Sequence, residues 1–156
     1  MSIENVRKYL KKYDLEDRII ELVAETGTVE QAATALGCEG KQIAKTMAFN
    51  IFDKAVLVLL AGDTKVDNSK FKAFFGVKAK MLTGEELDSL VGHKMGGVCP
   101  FDVKGDVKVY LDESLKRFEI VYPAAGTDHS AVKLTIPELE KSSNYISWID
   151  IGKPRE

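Results

Sequence analysis

Two strand-forming runs, separated by a polar dipeptide, occupy the stretch Thr46-Met47-Ala48-Phe49-Asn50-Ile51-Phe52-Asp53-Lys54-Ala55-Val56-Leu57-Val58-Leu59-Leu60-Ala61. The runs 46–52 and 55–61 are rich in aliphatic and aromatic residues, and Asp53-Lys54 has the polar character of a turn. This pattern predicts a β-hairpin. The second run is the longest apolar segment of the chain and is far too short to cross a bilayer, so no membrane partner is expected.

The residues before this hairpin predict helices. Thr28 and Gln31 form a capping box, and Gly37 suits the left-handed position that ends a helix. Apolar residues also recur at helical spacing earlier in the chain, at Ile3, Val6 and Leu10 and again at Ile19, Ile20, Leu22 and Val23.

The residues after the hairpin mix short helices and short strands. Asp67 is expected to cap a helix that ends before Gly76, and Thr83 with Glu86 forms a second capping box for a helix that ends at Gly92. Pro137 suits the first residue of another short helix. Further strands are predicted at residues 79–82, 107–111, 118–121, 132–136 and 146–151.

Strict β-α-β alternation is absent, which argues against a Rossmann fold. The expected architecture is therefore a single α+β domain, with a mixed, mostly antiparallel β-sheet or barrel flanked by short helices. We expect residues 1–156 to form this one domain, with 1–27 as an N-terminal helical extension and 28–151 as the core.

Composition narrows the class of protein further. The 156 residues are 45% hydrophobic and 29% charged, which is typical of a globular domain. Cys38 and Cys99 are widely separated and form no CxxC motif, so we expect neither a disulfide framework nor a metal site. The first residues lack the apolar segment of a secretory signal, which favours a cytoplasmic protein.

The charge is unevenly distributed. The formal net charge is −2, yet residues 41–80 contain eight lysines and three aspartates and carry +5. This block is a possible footprint for nucleic-acid phosphates, although lysines on a solvated face are the more common explanation of such a pattern.

Residues 28–47 resemble a helix-turn-helix, in which Lys41 and Gln42 would be the base-reading candidates. The strand character of residues 46–52 begins within one turn of the supposed recognition helix. A helical hairpin that leads into a sheet is therefore the better interpretation, and no DNA partner is expected.

The segment Gly96-Gly97-Val98-Cys99-Pro100-Phe101 permits two interpretations. Adjacent glycines allow backbone to approach a ligand closely, and an array of N–H groups can hold an oxygen or a carboxylate. A tight turn between strands would use the same residues. Cys99 would be a nucleophile only with a base such as His93 or His129 beside it, and a lone cysteine is more often a buried apolar residue.

Two further segments contain candidate functional residues. Lys45-Thr46 begins the first strand of the hairpin, where a lysine could meet a phosphate or a carbonyl oxygen. His129 lies in the glycine-containing loop 124–130, where either a functional histidine or an exposed loop histidine is expected.

Taken in order, these segments resemble the YbaK/ProX/EbsC family of trans-editing aminoacyl-tRNA deacylases. The similarity extends over residues 28–136, and Lys45 together with the Gly96-x-x-x-Pro100 element is its most specific part. The matching segments are Val29-Glu30-Gln31-Ala32-Ala33, Leu36-Gly37, Gln42-Ile43-Ala44-Lys45-Thr46, the strand 56–63, Glu85-Glu86-Leu87, Gly92, 96–101 and 109–115.

The resemblance implies hydrolysis of the ester between a mischarged small amino acid and the 3′-terminal ribose of a tRNA, most simply tRNA-Pro carrying Cys or Ala. It implies that Lys45 and Gly96 are catalytic, that the ribose hydroxyl helps to position water, and that neither cofactor nor metal is needed. The partners it implies are the 3′ end of mischarged tRNA and, as a second candidate, prolyl-tRNA synthetase. An inactive tRNA- or synthetase-binding module of the same fold is the alternative. The expected substrate-binding residues are Thr46, Gly97, Val98, Cys99, Pro100, Phe101, Gly126, Asp128 and His129.

Overall fold

The helices and strands of the chain are taken from a computed structural model that describes residues 2–154. Within these residues the α-helices are α1 (Ser2–Lys11), α2 (Val29–Leu36), α3 (Asn68–Phe75), α4 (Gly84–Glu86) and α5 (Ile136–Ser143). The strands are β1 (Ile19–Glu21), β2 (Ala44–Ile51), β3 (Lys54–Ala61), β4 (Thr64–Val66), β5 (Lys108–Asp112), β6 (Ile120–Val121), β7 (Ser130–Val132), β8 (Leu134–Thr135), β9 (Trp148–Ile149) and β10 (Gly152–Pro154).

A four-stranded mixed sheet forms the centre of the fold, in the order β2-β3-β5-β9. β2 and β3 are the predicted hairpin and pair antiparallel. β5 pairs in parallel with β3, and β9 pairs in parallel with β5. β2 and β9 are the two outer strands of this sheet and do not pair with each other, so the sheet is open. The prediction of a mixed α+β domain is confirmed, and the barrel alternative is wrong, because a barrel requires the sheet to close on itself.

Strand β3 is buried at every position after Lys54, because both faces of the central sheet are covered. Alternate side chains belong to two different apolar clusters. Leu57 and Leu59 belong to the larger cluster, together with Val6 and Leu10 of α1. Val56, Val58 and Leu60 belong to the smaller cluster, which also contains Phe49 and Phe71.

The helix boundaries agree with the predicted caps. The backbone N–H of Gln31 donates to Thr28 Oγ1, and the matching box at Thr83 and Glu86 begins α4. Asp67 caps α3 through the N–H of Lys70. The helix after Thr83 continues as a wider π turn over Leu87–Val91 and ends at Gly92, as predicted.

Three sequence-based assignments are wrong. Ile19–Glu21 is a strand that pairs with β7, not a helix, because pairing with a distant segment outweighs the helical spacing of its apolar residues. Residues 79–82 contribute one isolated bridge, Met81 to Phe49, and no strand. The hairpin turns at Phe52-Asp53, one residue earlier than predicted, where both residues have positive φ.

Three antiparallel two-stranded ribbons complete the described structure: β1–β7, β6–β8 and β4–β10. Across residues 2–154, every helix is too short or too polar to span a bilayer.

Candidate active site

A cavity of ≈ 390 Å³ lies between β2, α2 and the glycine loop at residues 95–98. Its wall is mostly apolar and contains Val29, Ala32, Ile43, Ala44, Ala48, Leu82, Leu87, Val98, Ala124 and Ala131. Its polar side chains are those of Thr26, Thr28, Lys45, Thr46, Tyr122 and Ser130. A small apolar cavity with few polar groups is the usual form of a small-molecule site.

Lys45 and Thr46 reach this cavity because they lie on β2, an outer strand of the central sheet. The beginning of β2 is held by Tyr122, whose carbonyl accepts the N–H of Ala44 at 3.1 Å. Thr46 Oγ1 is buried and has no hydrogen-bond partner among residues 2–154. Since a buried hydroxyl without a partner is costly, this atom is a natural partner for a bound polar group.

Gly96 lines the cavity and Gly97 borders a neighbouring depression, and both residues need to be glycine for steric reasons. Gly96 has φ +90°, and a Cβ there would lie 3.1 Å from Asp128 Cβ. A Cβ at Gly97 would lie 2.5 Å from the carbonyl carbon of Gly126, so the two loops approach more closely than any side chain allows.

Two of the loops around the cavity are hydrogen-bonded to each other. The N–H of Thr26 donates to the carbonyl of Asp128, and that of Leu22 donates to the carbonyl of His129 at 2.8 Å. Ser130 N–H donates to Thr26 Oγ1 at 3.2 Å. These bonds fix residues 22–28 against residues 126–130, which in turn contact the glycine loop.

His93, which precedes the glycine loop, contacts Cys99 and Phe101, which follow it. Its Nε2 lies 2.6 Å from the carbonyl oxygen of Phe101 and 3.5 Å from Cys99 Sγ, so we assign the proton to Nε2, which donates to that carbonyl. Its Nδ1 is buried and has no hydrogen-bond partner within the part of the chain that the structure describes. Burial lowers the pKa of His93, which keeps the ring neutral at pH 7.

Cys99 is unsuited to nucleophilic catalysis. Burial raises the pKa of its thiol to about 12, so the thiolate is not populated at neutral pH. Its neighbour His93 already donates to Phe101. The candidate cysteine–histidine pair is therefore structural.

The structure brings only part of the predicted set to the cavity. Lys45, Thr46, Gly96 and Val98 line it. Gly97, Gly126 and Asp128 border a neighbouring depression that also contains Asn5 and Lys94. The remaining predicted residues lie outside both: Cys99, Pro100 and Phe101 are buried in the interior, and His129 is exposed.

The exposed His129 is not isolated, because its Nδ1 lies 2.9 Å from Asp128 Oδ1. Sequence analysis missed the cavity residues Thr26, Met81, Met95 and Ser130. Small hydroxyl residues and methionines are common in loops and surface segments, so only their meeting in space identifies them.

Residues 2–154 contain no group of three histidine, cysteine, aspartate or glutamate side chains that could hold a metal ion. The groups at the cavity include the Lys45 ammonium, the Thr46 hydroxyl and the backbone of the glycine loop. A cation and fixed backbone dipoles are groups that can polarise a carbonyl.

Comparison with known proteins identifies the class more closely. Residues 23–142 match the family described as the aminoacyl-tRNA editing domain, and the chain belongs to this family. The predicted family is thereby confirmed, and so is its enzyme class: the chain is an aminoacyl-tRNA deacylase.

Three similar proteins illustrate the range of the family. The uncharacterized protein YwhH of Bacillus subtilis is 43% identical over 157 residues, with full coverage of both chains. Proline–tRNA ligase 1 of Bacillus cereus is 28% identical over 143 residues; the aligned region is 90% of this chain but 25% of the ligase. A crystal structure of a proposed trans-editing enzyme for prolyl tRNA synthetase has a TM-score of 0.87 and 30% identity, with 97% of each chain covered.

Proposed function

We propose that this chain removes a small amino acid, alanine or cysteine, from mischarged tRNA-Pro. The observation that carries the proposal is the cavity itself, because it is lined by Lys45 and Gly96 and otherwise mostly by apolar residues. The likeness to proline–tRNA ligase and to the proposed trans-editing enzyme supports tRNA-Pro as the carrier.

The glycine loop would stabilise the developing oxyanion. The N–H of Gly97 already donates to the carbonyl of Lys94 at 3.0 Å, whereas the N–H groups of Gly96 and Val98 have no recorded partner within residues 2–154. These two amides are therefore the donors that we assign to the carbonyl oxygen of the ester. An aminoacyl ester needs little more than this and an aligned water, since preorganised donors are usually the largest catalytic contribution.

Lys45 would supply the positive charge at the same cavity. Its ammonium can attract the terminal phosphate or polarise the ester carbonyl, and both roles favour an anionic, ester-bearing substrate. Neither Cys38 nor Cys99 lines the cavity, and the attacking group in this proposal is water positioned by backbone and by the ribose hydroxyl.

The apolar wall would select the amino acid. Val29 and Ala32 of α2 line the cavity and would limit the size of the side chain that can enter. Size exclusion of this kind suits an editing site, because a hydrophobic pocket discriminates poorly against smaller groups and well against larger ones.

A deacylation panel tests the proposal. Purified protein is mixed with tRNA-Pro carrying alanine, cysteine or proline and with tRNAs carrying serine, threonine or leucine, and the released amino acid is followed over time. We expect rapid release of alanine or cysteine and none of leucine. Binding of tRNA without release of any amino acid would indicate instead the inactive tRNA- or synthetase-binding module.

A further inference from the structure

Two exposed methionines stand at the rim of the cavity. The side chains of Met81 and Met95 are 51% and 70% exposed, and both residues line the cavity. They belong to separate segments, yet a Cβ at Gly84 would lie 3.9 Å from the Met95 methyl group, so the two segments meet at this edge. Other exposed apolar side chains, such as Phe52 and Ile146, do not line the cavity.

The thioether is chemically suited to contact a flat aromatic ring. Methionine is flexible and polarisable, and it makes favourable sulfur–aromatic contacts. Leaving two such side chains in water beside a binding site is unfavourable unless a partner covers them, and exposed apolar patches commonly mark such a partner.

Each rim methionine directly follows an exposed lysine in the sequence. Lys80-Met81 and Lys94-Met95 each put a cation one residue from a rim methionine, and Lys94 and Met95 border the same depression beside the cavity. The sequence pattern is the same on both sides of the cavity mouth. Apolar ring contacts combined with positive charge are what a nucleotide requires, since its base is aromatic and its phosphate is anionic.

We propose that Met81 and Met95 form a subsite for the 3′-terminal purine nucleotide of the substrate, with Lys80 and Lys94 facing its phosphate. This inference rests on the proposed function and deepens it. The ester is attached to the terminal ribose, and the base is attached to the same sugar. An aminoacyl group inside the cavity therefore requires the base to lie at the mouth, where these methionines are exposed.

Methyl NMR tests the location of the subsite without any catalysis. Protein labelled at the methionine methyl groups is titrated with adenosine 5′-monophosphate and, separately, with ribose 5-phosphate. We expect ring-current shifts of the Met81 and Met95 signals with the nucleotide and not with the sugar phosphate. Met47, which packs in the smaller apolar cluster, is the internal control.

Kinetics test the energetic contribution of the pair. Loss of two sulfur–aromatic contacts corresponds to about a 3- to 150-fold loss of affinity. We expect M81Q/M95Q to raise KM for mischarged tRNA by at least about threefold, while the exposed control I146Q stays near the wild type. On the methyl ester of the same amino acid, which has no nucleotide, the loss in M81Q/M95Q should be much smaller than on tRNA.

The outcomes separate this inference from the proposed function. An M81Q/M95Q variant with the wild-type KM for tRNA overturns the subsite, and so does an equal loss on the methyl ester, because the methionines would then contact the aminoacyl group. A protein that shifts Met81 and Met95 with the nucleotide but releases no amino acid supports the subsite and contradicts the proposed function.

Discussion

At the scale of single residues, the site depends on the contrast between Lys45 and Cys99. The sequence made both residues candidates for a role in catalysis, and the structure places only Lys45 at the cavity. Lys45 lines the cavity on an outer strand, whereas Cys99 is fully buried between His93 and Phe101. We therefore assign the charge at the site to Lys45 and a packing role to Cys99.

Cys99→Ser should retain deacylase activity within about twofold of the wild type, because no step of the proposed mechanism uses the thiol. Its free energy of unfolding should fall by about 1–2 kcal/mol, since a hydroxyl is costlier to bury than a thiol. Urea denaturation and initial rates on mischarged tRNA provide the two measurements. Loss of activity without loss of stability would restore Cys99 as a nucleophile.

His93 should make stability sensitive to pH. Its pKa is lowered by burial from the ordinary value of 6.5, so below about pH 6.5 the unfolded chain binds a proton that the folded chain resists. The free energy of unfolding therefore decreases as the pH falls through this range, by at most about 1.4 kcal/mol per pH unit. Asp102 is the charged group whose field acts on His93 and partly opposes the shift.

His93→Gln keeps an N–H donor for the carbonyl of Phe101 and removes the titration. Urea denaturation at pH 7.5 and 5.5 should show a smaller loss of stability in this variant than in the wild type. Parallel losses in the two proteins would show that His93 does not titrate in this range.

At the scale of elements, the glycine loop and the loop around Gly126 act as one unit. Gly97→Ala places a methyl group against the backbone of Gly126 and Thr127, and overpacking of this kind costs about 1–3 kcal/mol. We expect lower thermal stability and lower activity together, because the displaced loop carries the proposed oxyanion donors.

Gly105→Ala is the matched control for this variant. A Cβ at Gly105 meets nothing within 4 Å, so its stability should stay within about 0.5 kcal/mol of the wild type. If Gly97→Ala behaves like Gly105→Ala in both calorimetry and activity, the close loop contact has no functional importance.

Local signals explain which elements could be predicted from the sequence. The caps at Thr28, Asp67 and Thr83 act within three residues, so the helix starts were predictable. Strand β1 was not, because its partner is β7, more than a hundred residues away. The hairpin runs were identified correctly, but its turn was displaced because Phe52 rarely adopts positive φ.

The residues of the site also fall into two groups, those that the sequence identifies and those that only the fold brings together. Lys45 and the Gly96-x-x-x-Pro100 element stand out in the sequence because their order resembles a known family. Thr26 and Ser130 join the site only through hydrogen bonds between loops about a hundred residues apart. Pro100 and Phe101 belong to the same sequence motif as Gly96, yet they are buried in the interior and do not line the cavity. Residues that are neighbours in sequence need not face the same cavity.

At the scale of the whole molecule, the lysines of the positive block at residues 41–80 are not all equally available to bind tRNA. Lys41 pairs with Glu39 at 3.1 Å and Lys70 with Asp150 at 3.0 Å. Lys80 is exposed and directly precedes the rim residue Met81. The part of the block that we expect to meet tRNA is therefore its end near the cavity mouth.

Lys80→Gln should weaken the salt dependence of kcat/KM for mischarged tRNA. Each phosphate contact on a single strand contributes about 0.7 to the slope of log K against log salt concentration, so the slope should decrease by about that amount. Lys65→Gln, on the β4–β10 ribbon, is the charge-matched control and should leave the slope unchanged. Equal slopes for both variants would show that Lys80 belongs to the solvated surface.

The most direct test of the proposed site is single-turnover deacylation of alanyl-tRNA-Pro by the wild type and by Lys45→Ala, with circular dichroism to verify that the variant is folded. We predict rapid release of alanine by the wild type and a loss of at least about a hundredfold in the variant, since fixed electrostatic groups at such sites contribute about 10²–10³ in rate. A folded Lys45→Ala protein that releases alanine at the wild-type rate would contradict the assignment of the active site to this cavity.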